Sequence, residues 1–429
     1  AAATCSNCKY LEHPFDVCLN VYHHAVVPVK SMMSEVVDLL SKLVAYATES
    51  GSSNLELIDH YAQRAAAAGA AVDVVHGAHG RANLHLRFGP DASGGVLFSG
   101  HTDVVPAGTG WATDPYVLNE IDGRFAGRGT ADMKGFLAVA LVALEQIDTD
   151  ALRAPVHLGL SYDEEIGCVG VHGLLDALAA GRSKAGTCAP EVVVVGEPTN
   201  MHLCNAHAGK VAHRVDLVAA SGHSSHAGIE PTAVHEAVAL ATLIYGLNDA
   251  DRGISANVGS IHGGLAVNVL APSCTLEFEV RHSAETDPEE VLSGVRDAVA
   301  ASDRRLAVVG GHAITESFIG YPGLFTDPRL TPVATLIELI GRGAPGPVGF
   351  GTEAGLYTSR LGAPSVIVGP GNIKDAHRPD ESVALNQLQE CTDVLPRVIH
   401  QFCSDDSPTV AEMRDLDDLY WGFNFLGFY

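Results

Sequence analysis

The sequence is short of positive charge. Its 429 residues include 26 lysines and arginines against 51 aspartates and glutamates, which gives a formal net charge of −25 at pH 7. Binding to nucleic acid or to an anionic membrane surface requires basic patches, so we expect neither kind of partner. The sequence also lacks an apolar run of the roughly 20 residues that a membrane-spanning helix needs.

Cysteine is present, but its spacing does not indicate a disulfide framework. The nine cysteines are an odd number, and from Cys168 onward they are scattered singly, which favours reduced thiols in a cytoplasm. Cys5 and Cys8 begin a segment whose irregular spacing argues against a zinc knuckle and which does not resemble a signal peptide. We expect residues 1–32 and 404–429 to be terminal extensions, with no role assigned to either.

Four apolar runs are typical of parallel strands buried on both faces, and each leads to acidic or histidine side chains. After the first run come His101 and Asp103, which point the same way if the chain is extended there. A glycine-rich loop adds one more carboxylate, Asp132. The full set of candidates is His101, Asp103, Asp132, Glu164, Glu165, Glu197 and His377.

This set fits two metal ions that share a carboxylate. Histidine and carboxylate ligands without thiolate favour zinc, with cobalt or manganese as alternatives. Glu164 and Glu165 are adjacent, and their side chains diverge on an extended segment. One is therefore expected on a metal ion, and the other is free to act as a general base and then as a general acid. Capping of the apolar helix that follows is the alternative role for Asp132.

Five motifs resemble those of the di-zinc aminoacylase/carboxypeptidase family of metallopeptidases, which includes acetylornithine deacetylase, succinyl-diaminopimelate desuccinylase and glutamate carboxypeptidases. They occur in family order over about residues 33–403. The motifs are Ser-Gly-His-Thr-Asp-Val-Val-Pro at 99–106, Gly-Arg-Gly-Thr-Ala-Asp-Met-Lys-Gly at 127–135, Asp-Glu-Glu at 163–165, Gly-Glu-Pro-Thr at 196–199 and Ala-His-Arg-Pro-Asp-Glu at 376–381.

The resemblance implies a role for each candidate. It makes Glu164 the acid/base and Asp103 the residue that orients His101. The ligands it implies are His101 and Glu197 for one zinc ion, Glu165 and His377 for the other, and Asp132 as the bridge.

The order of the predicted elements indicates an α/β protein. Strands alternate with helices in residues 33–208 and 319–403, which is typical of a three-layer domain and is expected to form the zinc-peptidase-like catalytic domain. Residues 209–318 have the order β-α-β-β-α-β, which predicts an inserted ferredoxin-like α+β unit. His377 lies beyond the insertion, so the catalytic domain is discontinuous. The resemblance makes the insertion the lid and the dimerisation domain of a homodimer.

The insertion carries candidates that depend on the resemblance. His226 corresponds to a lid histidine that reaches the active site of the partner subunit and helps to bind the oxyanion, and His223 is the competing assignment. Asn268 and Arg281 match lid residues that meet the substrate. Arg281 is chemically suited to clamp a carboxylate, with a surface salt bridge as the alternative.

Other details favour the acetylornithine deacetylase branch. Gly-Thr-Glu-Ala at 351–354 resembles its Thr-Glu-Ala segment, so Thr352 and Glu353 become substrate-binding candidates. By charge, Glu353 would meet the cationic side chain of ornithine. One departure is Ala208, where that branch usually has lysine and where Lys210 is the expected replacement.

The expected reaction converts N2-acetylornithine to ornithine and acetate, a step of arginine biosynthesis, so the partner is a small N-acyl amino acid. Alternatives are a succinyl-diaminopimelate desuccinylase or another aminoacylase or carboxypeptidase of the family. A remote alternative is an inactive relative that only binds. The expected location is the cytoplasm.

Overall fold

The structure is a computed structural model that describes residues 29–404. The predictions for Cys5 and Cys8 and for the C-terminal extension beyond residue 404 fall outside the described residues. The first helix begins at Val29, so it overlaps the segment expected to be an extension.

The described residues form nine α-helices and eighteen strands. The helices are α1 (Val29–Ala45), α2 (Leu55–Ala67), α3 (Gly135–Glu145), α4 (Val171–Ala179), α5 (Ala233–Tyr245), α6 (Pro288–Ala307), α7 (Thr331–Ile340), α8 (Ala354–Leu361) and α9 (Leu385–Cys403). The strands are β1 (Ala71–His76), β2 (Ala82–Phe88), β3 (Val96–His101), β4 (Asn119–Ile121), β5 (Arg124–Ala126), β6 (Val156–Ser161), β7 (Val192–Val195), β8 (Cys204–His207), β9 (Gly209–Val218), β10 (Gly222–His223), β11 (Ser255–Gly263), β12 (Val269–Leu270), β13 (Ser273–His282), β14 (His312–Tyr321), β15 (Leu324–Phe325), β16 (Gly346–Pro347), β17 (Ser365–Ile367) and β18 (Ser382–Ala384).

The four apolar runs form the centre of a mixed sheet. Strands β6, β3, β7 and β17 are neighbours and pair in parallel, as the sequence predicts. Side chains alternate between the two faces of β3: Val96 and Phe98 join one hydrophobic core, and Leu97 joins another. Helices α1, α3 and α9 contribute to the first core, and α4 and α8 contribute to the second. The result is the expected three-layer arrangement.

A second, four-stranded antiparallel sheet has the order β11-β13-β9-β14. Helices α5 and α6 pack with it around a separate hydrophobic core. Along the chain the order is β-α-β-β-α-β, with the short strands β10 and β12 added. The predicted fold class, an α/β domain with an inserted α+β unit, is confirmed, while the residue boundaries given for the domains stay predictions. None of the helices in residues 29–404 is long and apolar enough to cross a membrane.

Candidate metal centre

His101 is the last residue of β3 and is buried. Its Nδ1 lies 2.9 Å from the backbone oxygen of Asp103, which can only accept, so Nδ1 donates. Its Nε2 lies 3.0 Å from Oδ1 of Asp132 and 3.7 Å from Oε1 of Glu197, which follows β7, the parallel neighbour of β3. An imidazole nitrogen that faces two carboxylates must carry a proton, or a metal ion must lie between the nitrogen and the carboxylates. Burial lowers the pKa of His101, but its interactions with the nearby carboxylates of Asp103 and Asp132 outweigh burial and raise it.

Asp132 spans the two histidines. Its Oδ1 faces His101, and its Oδ2 lies 3.3 Å from Nε2 of His377. Burial opposes the ionisation of Asp132, but the hydrogen bonds from both imidazoles outweigh burial and lower its pKa. Helix α3 has no side-chain cap at its start, so capping, the alternative role of Asp132, is not what the structure shows. A carboxylate with one oxygen toward each imidazole has the arrangement of a bridging ligand.

The second histidine has its own carboxylate partner. Nε2 of His377 lies 2.9 Å from Oε2 of Glu165, which comes shortly after β6. These hydrogen bonds, from Asp132 first and from Glu165 next, raise the pKa of His377 to about 10. Burial raises the pKa of Glu165, and repulsion from Asp132 adds to the effect.

Glu164 lies beside this set. Its Oε1 accepts a hydrogen bond from the thiol of Cys168 at 3.3 Å, a contact that the sequence did not reveal. Burial raises the pKa of Glu164 well above its usual range, in spite of attraction to His101. One ligand atom each of His101, Glu164 and Glu197 lies within 4.8 Å of the others. The Glu164 carboxylate is therefore close enough to contact a metal ion held by His101 and Glu197, and also a group bound beside that ion.

The carboxylate of Asp103 has more partners than the sequence predicted. It lies 3.5 Å from Nδ1 of His101, but it also accepts hydrogen bonds from the hydroxyl of Ser50 at 2.7 Å and from the backbone amides of Glu164 and Glu165 at 3.0 and 3.3 Å. The expected role, orienting His101, is carried mainly by the backbone carbonyl of Asp103. The side chain holds the segment that follows β6.

The donor set fits divalent cations. Within residues 29–404, the ion pairs of Asp132, Glu165 and Glu197 are with His101 or His377. His101, Asp132 and Glu165 also form a group whose ligand atoms lie within 4.8 Å of one another. Carboxylates and imidazoles without sulfur suit zinc, manganese or cobalt, and two such ions would neutralise the buried acidic groups.

The backbone around Asp132 is held by a residue that sequence reasoning did not select. The buried carboxylate of Glu381 accepts hydrogen bonds from the amides of Ala131 and Asp132 at 3.0 and 3.1 Å. It also pairs with the buried guanidinium of Arg128. Burial raises the pKa of Glu381 to about 7. The position of Glu381 at the end of the fifth motif was the only signal in the sequence.

The lid histidines lie apart from this cluster in the single chain. His226 is exposed and contacts Glu230, with 3.1 Å between Nδ1 and Oε1. His223 uses its Nδ1 to accept a hydrogen bond from the amide of Ser225, so it shapes its own loop. The loop is tied to the lid through the amide of Ser224, which donates to the backbone oxygen of exposed Asn268. Of the described contacts, none joins these histidines or Asn268 to the metal ligands.

Arg281 lies on the lid sheet beside a second cation. Its Nε is 3.1 Å from Oε1 of Glu279, and Nζ of Lys210 is 2.7 Å from the other oxygen. Lys210 of β9 is paired across the sheet with Arg281 of β13 on one side and with Tyr321 of β14 on the other. Burial raises the pKa of Tyr321, and its electrostatic neighbours include both Arg281 and Glu164. This end of the lid sheet is therefore close to the metal cluster.

Thr352 and Glu353 are buried, and their expected contact with a substrate stays a prediction. The Thr352 hydroxyl accepts from the amide of Ala354 at the start of α8. Oε2 of Glu353 lies 3.5 Å from the hydroxyl of Ser99 on β3, and burial raises the pKa of Glu353 to about 7. The turn before α8 aims one carboxyl oxygen at the sheet, and the other, Oε1, is buried and has no hydrogen-bond partner among residues 29–404.

Comparison with known proteins agrees with this geometry. The sequence pattern of the peptidase family M20/M25/M40 matches residues 97–401. An aminopeptidase PepT from Bacillus cereus has a similar structure, with 20% sequence identity and a TM-score of 0.67 over 86% of this chain and 98% of that one. A metallo-carboxypeptidase of the M20 family from Sulfolobus solfataricus is 16% identical, with a TM-score of 0.68 over 85% and 98% of the two chains. A dinuclear metal-binding M20 peptidase from Bacillus subtilis is 13% identical, with a TM-score of 0.60 over 86% and 98%. At these identities the structural likeness establishes the fold alone.

Proposed function

This chain belongs to the peptidase family M20/M25/M40 and is a hydrolase of that family; we propose that it removes the acyl group from an N-acyl amino acid, with N2-acetylornithine as the first substrate to test. The observation that carries the proposal is Asp132 between His101 and His377, with Glu164 beside them. An inactive binding relative would be expected to lack one of these groups, and all of them are in place.

The residues that would hold the metal ions are those of the cluster. His101 and Glu197 would bind one ion, His377 and Glu165 the other, and Asp132 would bridge them. We propose zinc, with cobalt or manganese as substitutes. When bound, the two ions would polarise the amide carbonyl and make a water molecule acidic enough to act as the nucleophile.

Glu164 is the proposed general base. Its carboxylate would take a proton from the attacking water and later give it to the leaving amine nitrogen. The thiol of Cys168 holds Oε1, and the amide of Glu164 is held by Asp103. Both contacts limit the directions in which the carboxylate can point.

Recognition of the substrate carboxylate is assigned to the lid. Arg281 and Lys210 share one carboxylate partner, Glu279, and lie at the end of the lid sheet near Glu164. A substrate α-carboxylate would compete with Glu279 for Arg281, which can bind it in a bidentate manner. Asn268 is proposed as a further contact.

A homodimer through the lid is part of the proposal. His226 does not reach the metal cluster of its own chain, so a role in oxyanion binding requires a second subunit. Strand β11 is an edge of the lid sheet. Large apolar side chains on α5 and beyond β11 are exposed, including Val238, Tyr245 and Val267. Exposed apolar surface next to a free strand edge is typical of an interface. The molecular mass in solution tests this point.

A second substrate class is favoured by one observation. Lys210 and Arg281 are two cations that share one carboxylate, Glu279. They would suit a substrate with a second carboxylate, as in desuccinylation, if Glu279 moved away from them. Glu353, the acid expected to bind the cationic end of ornithine, is buried. Parallel assays with N-acetylornithine, N-succinyl-diaminopimelate and N-acyl-glutamates separate the two classes.

The decisive experiment on the chemistry is Glu164→Gln. The change keeps the size of the side chain and removes the base, so we expect kcat to fall by a factor of about 10² to 10⁴. The metal content should stay near that of the wild type, because the proposed ligands are untouched. Turnover close to that of the wild type would overturn the assignment of Glu164.

Six cysteines in the described residues are free and buried, and we propose a cytoplasmic location on that basis.

A further inference from the structure

A second group of possible metal ligands lies in the catalytic domain, apart from the cluster described above. His85 of β2 and His157 of β6 are fully buried, and Cys188 is buried in the loop before β7. His85 is paired with Gly159 across the two strands, and His157 precedes Gly159 by two residues, so both histidines face the same side of the sheet. Their rings stack, with centroids 5.1 Å apart and an angle of 25° between their planes.

The distances within this group are close to those of a metal site. Nε2 of His85 lies 3.0 Å from Nδ1 of His157, and one ligand atom from each of His85, His157 and Cys188 lies within 4.8 Å of the others. A tetrahedral zinc ion with Zn–N bonds of about 2.1 Å separates two nitrogen ligands by about 3.4 Å. The two imidazoles would therefore move apart by only a few tenths of an ångström. We propose that His85, His157 and Cys188 bind one thiophilic divalent metal ion of the zinc type.

The hydrogen bond between the two imidazoles leaves Nε2 of His157 buried and without a hydrogen-bond partner among residues 29–404. Buried polar atoms without partners are uncommon, and each costs free energy. A metal ion held by Nδ1 of His157 would not pair this nitrogen, so the proposal rests on the distances between the other ligand atoms. Two histidines that interrupt apolar strands are hard to explain by packing alone, because leucine or phenylalanine would fill the space without unpaired nitrogens.

The orientation of His85 is set by a hydroxyl group. Nδ1 of His85 lies 2.6 Å from the hydroxyl of Ser183, which also accepts a hydrogen bond from the amide of Ala185. If Nδ1 donates to this hydroxyl, the lone pair of Nε2 points toward His157. Metal-binding histidines are commonly oriented by such a contact.

The loop that carries Cys188 is fixed to the rest of the domain. Hydrogen bonds anchor it along its length, which keeps the thiol next to the histidines. They join the amide of Lys184 to Asp73, Nε of Arg87 to the backbone oxygen of Ala185, the amide of Thr187 to Asp91, and the amide of Gly94 to the backbone oxygen of Ala189.

A metal ion would balance the charge of the Cys188 ligand. Of the carboxylates that hold this loop, Asp73 is buried and Asp91 is exposed. A Cys188 thiolate buried without a cation would leave an unpaired buried charge, and a divalent ion would offset it. The bound ion would link the loop to β2 and β6.

Sulfur distinguishes this group from the cluster, whose proposed ligands are all nitrogen or oxygen. The full-length protein, produced in cells grown with Co²⁺ in place of zinc, should therefore show thiolate-to-cobalt charge-transfer absorption in the near ultraviolet. Cys188→Ser should abolish this absorption and lower the metal content by about one equivalent per chain. Cys391→Ser, which changes another buried cysteine in α9, is the matched control and should leave both unchanged.

Two further measurements keep the proposal testable if Cys188→Ser does not fold. Zinc X-ray absorption of the wild-type protein should show a sulfur neighbour at about 2.3 Å. Ser183→Ala should weaken retention of the sulfur-bound metal by about 10- to 100-fold while leaving the protein folded. Absence of the absorption and of the sulfur neighbour in metal-loaded wild type would overturn the proposal, as would persistence of both in Cys188→Ser. The site does not depend on the proposed deacylation, since these readouts need no substrate.

Discussion

Replacing Asp103 with Asn tests the geometry of the cluster at a residue that is not a proposed metal ligand. In the structure, one carboxylate oxygen accepts from the amide of Glu164, and the other accepts from the hydroxyl of Ser50 and the amide of Glu165. Asparagine keeps the size of the side chain but offers one acceptor oxygen in place of two. Its NH₂ group must then face at least one of these donors.

The magnitude follows from the unpaired donor. A buried N–H without a partner costs about 1–3 kcal/mol. If the segment relieves this cost by shifting, the base at Glu164 leaves its position, and the loss appears as a higher barrier. At 1.36 kcal/mol per factor of ten, kcat should fall by about 5- to 160-fold with metal at saturation. Asp103 supports Glu165 and His101 as well, so metal affinity should fall by about 10- to 100-fold.

The assay is steady-state kinetics at several metal concentrations, combined with metal affinity from competition with a chelator. Ser50→Ala is the matched control, because it removes one donor and leaves the two backbone contacts of Asp103 intact. Its effect on kcat should be smaller than that of Asp103→Asn. A kcat within twofold of the wild type at saturating metal would refute the role assigned to the 164–165 backbone. If metal affinity alone changes, the carboxylate acts through His101 only.

Two further predictions concern stability. A methyl group on Gly196 would lie 2.0 Å from the ring of Phe136, so Gly196→Ala should lower the free energy of unfolding by about 1–3 kcal/mol. Gly294 lies on α6 with open space around it, so Gly294→Ala should instead raise the free energy of unfolding by about 0.5–1 kcal/mol. Urea unfolding of the two variants tests the contrast. In the lid, hydrogen bonds from Arg305 lower the pKa of Glu236, so Glu236→Gln should cost about 1–3 kcal/mol at pH 7. A carboxyl group whose pKa is lower in the folded than in the unfolded protein stabilises the fold at pH values above its unfolded pKa. This contribution is lost as the pH falls through its folded pKa. The difference between wild type and Glu236→Gln should therefore shrink below pH 4.5, and a constant difference down to pH 3 would contradict the reasoning.

The sequence was enough to group the candidate metal ligands because the topology brings strand ends together. His101 ends β3, and Glu165 and Glu197 come after its parallel neighbours β6 and β7. The carboxyl ends of parallel strands meet at one edge. Apolar runs in the sequence indicated those strands, so the candidate ligands could be identified as the acidic and histidine residues at the end of each run. Asp132 and His377 were found by their motifs.

The direction of side chains in turns could not be predicted in the same way. Glu353 belongs to a motif, but only the fold shows that its turn points the carboxyl at Ser99. The partners of Asp103 were missed because Ser50 lies 53 residues away in the chain. His85 and His157 are 72 residues apart, and each is a single polar residue inside an apolar strand. Such an interruption has many explanations until the partner strand is known.

Under the proposed function, the choice between substrates depends on the charge that the lid presents. Arg281 and Lys210 share Glu279, so the three side chains carry a net charge of plus one. A single substrate carboxylate can be bound without loss of that arrangement. A second carboxylate would be favoured only if Glu279 moved away from both cations, because it would otherwise repel the incoming anion. If the lid binds the substrate carboxylate as proposed, Glu279→Gln should favour succinylated over acetylated substrates, as a change in the ratio of kcat/KM values. An unchanged ratio would show that the acyl group is recognised elsewhere.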